Sequence, residues 1–324
     1  MTGLLHRMGL YALAAWFALT LNFLLPRMMP GDPAQALFAR FQGKLEPAAL
    51  DALTITLGIS DAPLFEQYVA YVGQLLRGEL GVSLVYFPAP VTEVIAGGLG
   101  WTLFLAGGAL VVAFGLGSAI GALAAWRRGG WLDTVAPPLL SFLGAFPYFW
   151  LAMAAAWLFG FTLGWFPVRH AYGPEVTDTW SLVFVASAVR HAILPGATMV
   201  IASLGGWVLT MRNAMRGVLD DEPIRFAQAR GLSPGRIFFH YGIRNALLPS
   251  LTSFGMALGF VLSGALLTEI VFAYPGQGYL LLQAVRGQDY PLLQGLFLTI
   301  TLAVLAANAI VDVVVVMLDP RTRG

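Results

Sequence analysis

Apolar residues along this chain run in long blocks broken by arginines and by Pro/Gly clusters, not in the short alternations that mark strands. A membrane-crossing helix needs about 20 mostly apolar residues. Windows of that kind fall at 9–29, 101–126, 134–163, 194–211, 246–270 and 292–317, the fourth being the shortest. The first is longer than the roughly 7 to 15 apolar residues of a signal-peptide core, so it reads as a retained helix despite the small-residue triplet Ala34-Gln35-Ala36.

Between the first two windows lies the one sizeable polar stretch, 31–100. Inside it, APLFEQYVAYVGQLLRGELG spaces Leu64, Tyr68, Tyr71, Val72 and Leu75 as one face of a helix. That amphipathic helix either lies along the membrane surface or caps the bundle. Loops at 165–195 and 272–291 complete the same side. With no internal repeat or flexible linker, the expectation is a single all-α transmembrane domain over 1–324, with 31–100 extracytoplasmic and 212–245 forming a cytoplasmic loop.

Charge then sets the orientation. A cytoplasmic N-terminus gives that side Arg7, Arg127, Arg128, Arg212, Arg216, Arg225, Arg230, Arg236, Arg244, Arg321 and Arg323. The other side keeps Arg27, Arg40, Lys44, Arg77, Arg169, Arg190 and Arg286, several of them in the long polar stretch where the positive-inside rule has little force. Both termini are therefore expected in the cytoplasm, as an even number of spans requires.

Composition agrees with a bilayer protein and removes several kinds of chemistry. The 324 residues are 58% hydrophobic and 11% charged, with a mean hydropathy of +0.76, against about 45–50% apolar residues in soluble domains. A net charge of +1 without a separate basic stripe argues against nucleic-acid binding. No cysteine is present, which excludes disulfides, thiol nucleophiles and Cys-based metal sites. Lys44 is the only lysine; Phe38 and Leu45 occupy the other places that a phosphate-binding P-loop would need, so ATP hydrolysis by that route is excluded. His6, His170, His191 and His240 are scattered without metal-site spacing, and there is no G-x-S-x-G elbow.

Ionisable groups within apolar windows are costly and raise a functional question. Asn308 and Asp312 stand one turn apart on one helix face, suited to interhelical hydrogen bonds or to handling a substrate or proton. Glu269 ends the fifth window, where it is either solvated or functional. Gly117/Gly121, Gly160/Gly164 and Gly255/Gly259 repeat the G-x-x-x-G spacing that lets helix backbones approach closely.

One basic stretch carries more than orientation. In ARGLSPGRIFFHYGIRNALLPS, residues 225–230 can form a short helix, and Gly231 suits the left-handed position after it. Ser233-Pro234 then reads as an N-cap followed by proline at the first helical position. Helix, sharp turn, helix: a rigid basic elbow facing the cytoplasm.

Taken with its neighbours, the elbow resembles that of a known family, the inner-membrane permease subunits of binding-protein-dependent ABC importers of the dipeptide/oligopeptide/nickel type. The resemblance spans PGDPA after the first window, LGISDAPLFEQYVAYVGQLLRGELGVSL, RRGGWLD, FPYFW, LGWFPV, RFAQARGLSPGRIFFHYGIRNALLP, EIVFAYPGQGYLLLQAVRGQDYPLLQG and the tail LDPRTRG. It implies a type I importer permease fold of about six spans in the bacterial or archaeal cytoplasmic membrane.

It further implies that the elbow is the EAA-type coupling loop that docks on a cytoplasmic ATPase. Arg225, Ala227, Ala229, Gly231, Leu232 and Ser233 match the peptide-branch loop, followed by Pro234. Arg225 stands where the general motif carries an acidic residue, and Pro223 and Phe226 are less typical. Implied partners are a second homologous permease in a heterodimer, two ATPase domains that hold ATP and Mg, an extracytoplasmic solute-binding protein, and lipid. This chain would bind no cofactor and catalyse nothing. Glu269, Tyr274, Pro275 and Gly276 would form a gate or binding-protein contact on the outer side.

Peptides, the commoner cargo of the family, stand ahead of oligosaccharides and nickel complexes, although Asn22-Phe23 with Pro26-Arg27 resembles the oligosaccharide-associated branch. Two rival readings are an intramembrane enzyme using Asp312 or His240, and a self-sufficient carrier. The first lacks a convergent catalytic pair, and the second lacks paired broken helices.

Overall fold

The computed structural model describes residues 2–28, 62–176, 181–259, 261 and 265–318, and the side-chain surroundings of these except at 2–8, 25–28, 252, 259 and 311–318. Pro30 to Ala34, the Ala34–Ala36 triplet, Lys44, Arg321, Arg323 and the side chain of Asp312 lie outside that description. The regular elements among the described residues are helices, and an isolated bridge between Val82 and Pro90 is the one piece of β pairing among those residues.

The helices are α1 (Thr2–Met28), α2 (Leu64–Leu76), α3 (Val91–Trp126), α4 (Trp131–Gly144), α5 (Tyr148–Thr162), α6 (Leu182–Asp220), α7 (Glu222–Ala229), α8 (Arg244–Gly259), α9 (Leu266–Val271), α10 (Gln277–Arg286) and α11 (Tyr290–Leu318). They divide between two compact units: Met1–Trp101 with Pro275–Ala306, and Thr102–Tyr274 with Ala307–Gly324.

Not every apolar window is a straight span. Val91–Trp126, Leu182–Asp220 and Tyr290–Ile310 are long and apolar enough to cross a membrane, and the apolar part of α1 is the shorter stretch Gly9–Leu24. The window at 134–163 is instead two helices, α4 and α5, bent by 91°. Pro147 separates them, because proline lacks an N–H and forces the residue before it out of the helical region. The shortest window lies inside the longest helix. α6 has 39 residues and runs through Pro195, giving about 58 Å of helix against a hydrocarbon core of about 30 Å.

In the first unit, Val91 and Ile95 of α3 pack with Leu280 and Ala284 of α10 and with Leu292, Leu293 and Leu296 of α11. Asp289 fixes the start of α11. It is fully buried and accepts from the Leu292 backbone at 3.1 Å, from the Val85 backbone at 2.9 Å and from Ser83 Oγ at 2.5 Å. The amphipathic α2 docks through its tyrosines: Tyr68 OH pairs with Thr20 Oγ1 at 2.9 Å, and Asn22 Nδ2 donates to Tyr71 OH at 3.2 Å and to the Gln294 carbonyl at 2.7 Å. The Phe23 ring lies 5.2 Å from that of Tyr68 and 5.5 Å from that of Tyr71. Asn22 and Phe23, two of the four residues that raised the oligosaccharide reading, are thus buried packing residues, and the side chains of Pro26 and Arg27 lie outside the description.

In the second unit the pairing of α3 with α6 dominates, and the first glycine pair explains it. A Cβ at Gly117 would lie 2.4 Å from Trp207 Cβ, and one at Gly121 would lie 2.5 Å from the Val208 carbonyl oxygen. Helix backbone cannot retreat as a flexible side chain can. Gly121→Leu is therefore expected to cost at least about 1–3 kcal/mol, read as a lower unfolding temperature of the purified protein; an unchanged temperature would refute the close approach. The second pair differs, since Gly160 abuts Val168 and Gly164 sits in a left-handed turn at φ 64°. Gly255 and Gly259 both lie in α8, and the surroundings of Gly259 are outside the description.

Candidate functional site: the basic elbow

α7 begins just after α6 ends and starts earlier than the basic spacing predicts, with Pro223 inside its first turn. Its inward face carries Ile224 and Ala227, which form a buried cluster with Ile237. Trp126 at the end of α3, Val218 of α6, Leu232 and Tyr241 close around that cluster. A second cluster below it joins Ala122 and Ala125 of α3, Met211 and Met215 of α6, Phe238 and Ala246. Trp126 links the two, its ring 5.2 Å from that of Phe238. The elbow is therefore seated in a socket built by the ends of α3 and α6.

The turn itself closes α7 as its sequence predicts. Gly231 is left-handed at φ 71°, its N–H donates to the Gln228 carbonyl at 2.9 Å, and the Leu232 N–H reaches back to the Ala227 carbonyl at 3.2 Å. These two bonds, with Leu232 packed on the cluster beneath, make a complete Schellman motif. Ser233 has the extended backbone of an N-cap, but its side chain makes no capping bond. The second limb also departs from expectation: one helical turn, Pro234–Arg236, gives way to a seven-residue π-helix, Ile237–Ile243, before α8. π-helical turns also interrupt α3 at Leu103–Gly107 and end α5 at Ala156–Thr162, so this one is not peculiar to the elbow. Gly242 in this stretch leaves room for Met215, whose methyl group would lie 2.4 Å from a Cβ there.

The named residues split by direction. Arg225, Ala229, Gly231, Ser233 and Pro234 are exposed, whereas Ala227 is buried and Leu232 half-buried in the socket. Small size at Ala227 serves internal packing. Phe226 points the other way and is 74% exposed.

Beneath the elbow is a charge cluster that spacing alone did not reveal. Asp133, 6% exposed, accepts from the Gly129 N–H at 3.0 Å, from Arg212 Nε at 2.6 Å and from Arg216 Nη2 at 2.7 Å. It clasps the turn between α3 and α4 onto α6. The sequence presents Arg212 and Arg216 one helical turn apart, where like charges repel, but it does not say which anion meets them. A second pair, Arg128 with Asp220 at 2.9 Å, is open to solvent.

Glu269, Tyr274, Pro275 and Gly276 do not form an exposed patch. In the second unit Glu269 and Tyr274 are fully buried; Thr102 Oγ1 donates to Glu269 Oε1 at 2.7 Å, and the Tyr274 N–H to the Glu269 carbonyl at 2.8 Å. Of the two readings of Glu269, the solvated one fails: it is buried two residues before the end of α9, with its carboxylate on Thr102. In the first unit Gly276 is buried and Pro275 half-buried, and Gln277 donates to the Ile95 carbonyl at 2.8 Å. Asn308 is half-buried in α11.

Comparison with known proteins adds a family. Residues 117–324, which include the elbow, its socket and the Asp133 cluster, match the family described as binding-protein-dependent transport system inner membrane component. The chain is 34% identical to the di/tripeptide transport system permease protein DppB of Pseudomonas aeruginosa, covering 98% of this chain and 97% of that one. It is 30% identical to the oligopeptide transport system permease protein AppB of Bacillus subtilis, over 93% and 92% of the two chains. It is 34% identical to the probable D,D-dipeptide transport system permease protein DdpB of Escherichia coli, over 93% and 91%.

Proposed function

Because the chain belongs to the family of binding-protein-dependent transport system inner-membrane components, we propose that it is the permease subunit of an ATP-driven importer that carries di- and oligopeptides across the cytoplasmic membrane. It is a multi-pass membrane protein, with about six spans and both termini in the cytoplasm in this reading. The observation that carries the mechanism is the socketed elbow. The chain has no P-loop of its own, so the energy of ATP must enter through a contact with another subunit, and the elbow is shaped to receive one.

Its partners are two cytoplasmic ATPase domains holding ATP and Mg, a second homologous permease and an extracytoplasmic solute-binding protein. Phe226 is the apolar anchor for a cleft on the ATPase, flanked by the cations Arg225 and Arg230. Ala227, Ile224 and Leu232 hold the elbow's base against α3 and α6, so that a push on Phe226 moves those helices as a body. Coupling over such a distance needs an element with discrete arrangements, and a packed socket resists gradual deformation. Peptide cargo is supported by the names of the relatives, and Asn22 and Phe23, buried under α2, have a packing role that accounts for them without a sugar.

Two measurements test this reading. Co-expression with the cognate ATPases should give a stable complex that hydrolyses ATP, whereas this chain alone should not; Phe226→Asp should abolish that complex while leaving this chain folded. Calorimetry on the cognate solute-binding protein should show peptide binding, and a glycan bound there instead would overturn the cargo assignment.

A further inference from the structure

α2 is wider in its apolar surface than its docking requires. At 100° per residue, Tyr68, Tyr71, Val72 and Leu75 span an arc of about 100°; all four are half-buried, and Tyr68 and Tyr71 bond α1, while Leu64 in the same arc, at the helix start, is 61% exposed. Phe65, Val69 and Leu76 fall on the adjoining arc of about 40°, and they are 76%, 55% and 85% exposed. The opposite side carries Glu66, Ala70 and Gln74. Three large apolar side chains thus form a continuous uncovered flank, bounded on one side by the docked face and on the other by polar residues.

Its position says what covers it. Tyr68 ties α2 to Thr20 and Tyr71 to Asn22, both toward the end of the apolar part of α1, and Asn22 also bonds Gln294 in the second turn of α11. α2 therefore bridges the ends of two apolar helices. The exposed surface of α1 just beside these ties is Trp16, Phe17, Leu21 and Leu24, which is lipid-facing in a membrane protein.

We infer that α2 is an interfacial helix whose Phe65–Val69–Leu76 flank inserts between lipid headgroups and acyl chains, continuing the lipid-facing surface of α1. The docked tyrosines hold it at that depth, and Glu66 and Gln74 stay in water. A helix with separate apolar and polar sides is stable at this boundary in proportion to its buried apolar area. The inference needs the chain only to be membrane-embedded, so it stands or falls apart from the peptide cargo and from the elbow.

The absence of cysteine makes the test clean. Single-cysteine variants Phe65→Cys, Val69→Cys, Leu76→Cys, Glu66→Cys and Gln74→Cys of the full chain are spin-labelled and reconstituted in vesicles of phosphatidylethanolamine and phosphatidylglycerol. Labels at 65, 69 and 76 should collide several-fold more with oxygen than with a water-soluble nickel chelate, and labels at 66 and 74 should show the reverse. Chelate access at 65, 69 and 76 equal to that at 66 and 74 would place the flank in water and overturn the inference. Immobile labels shielded from both reagents would place it against protein and overturn it equally. Three independent flank positions keep the test decisive if one variant misfolds.

Discussion

Peptide uptake by the assembled importer is expected to fall about tenfold when Gly231 becomes valine and to stay within about twofold of normal when it becomes asparagine. The difference lies in backbone conformation alone. Gly231 holds φ 71°, and nothing lies within 4 Å of a Cβ placed there, so neither side chain meets a steric obstacle. A left-handed residue costs an L-amino acid about 1–2 kcal/mol through its own Cβ and carbonyl, more for a β-branched one, whereas asparagine visits that region readily. Since 1.4 kcal/mol is tenfold in an equilibrium, valine shifts the elbow away from its closed Schellman turn and releases Leu232 from the socket. ATP hydrolysis stimulated by the binding protein should fall with uptake, because the loss is in coupling. Normal uptake by the valine variant would show that the turn needs no left-handed residue.

Asp133→Ala is expected to destabilise the purified protein by about 2–4 kcal/mol, while Asp220→Ala changes stability by less than about 1 kcal/mol. Both aspartates hold arginines, but their surroundings differ. Asp133 is 6% exposed and its partner Arg212 18%, and removing one member of such a buried group leaves guanidinium and N–H donors without an acceptor. Asp220 and Arg128 are 64% and 46% exposed, where water replaces the lost contact and exposed pairs contribute little. Thermal unfolding in detergent separates the two. Equal effects would mean that the Asp133 cluster is no better shielded than the surface pair.

Much of this was legible along the chain, because it depends on local rules. The apolar windows reflect the length a bilayer demands. The Schellman turn at Gly231 could be read from one glycine after a short helix. The face of α2 followed from helical spacing. Hydropathy is silent on local breaks. The window at 134–163 is apolar throughout, and Pro147 stands where it bends by 91° between α4 and α5. The expected cap at Ser233 has the right backbone without the side-chain bond, and no spacing rule foretells the π-helix after it.

Buried polar residues divide along the same line. Hydropathy flags Glu269 as unusual but does not say which hydroxyl meets it, and Thr102 lies 167 residues away. Asp133 reads as an ordinary loop aspartate until α6 brings Arg212 and Arg216 to it, and Asn22 resembled a branch marker until α2 and α11 closed over it. Length, composition and turn residues act over a few positions, so the chain alone tells of membrane spans, of the lack of a P-loop motif and of a shaped elbow. Which of the elbow's residues face inward, and which anion holds Arg212 and Arg216 of α6, came only with the folded chain. Burial and charge pairing belong to surfaces assembled from distant segments, and no single segment contains both partners.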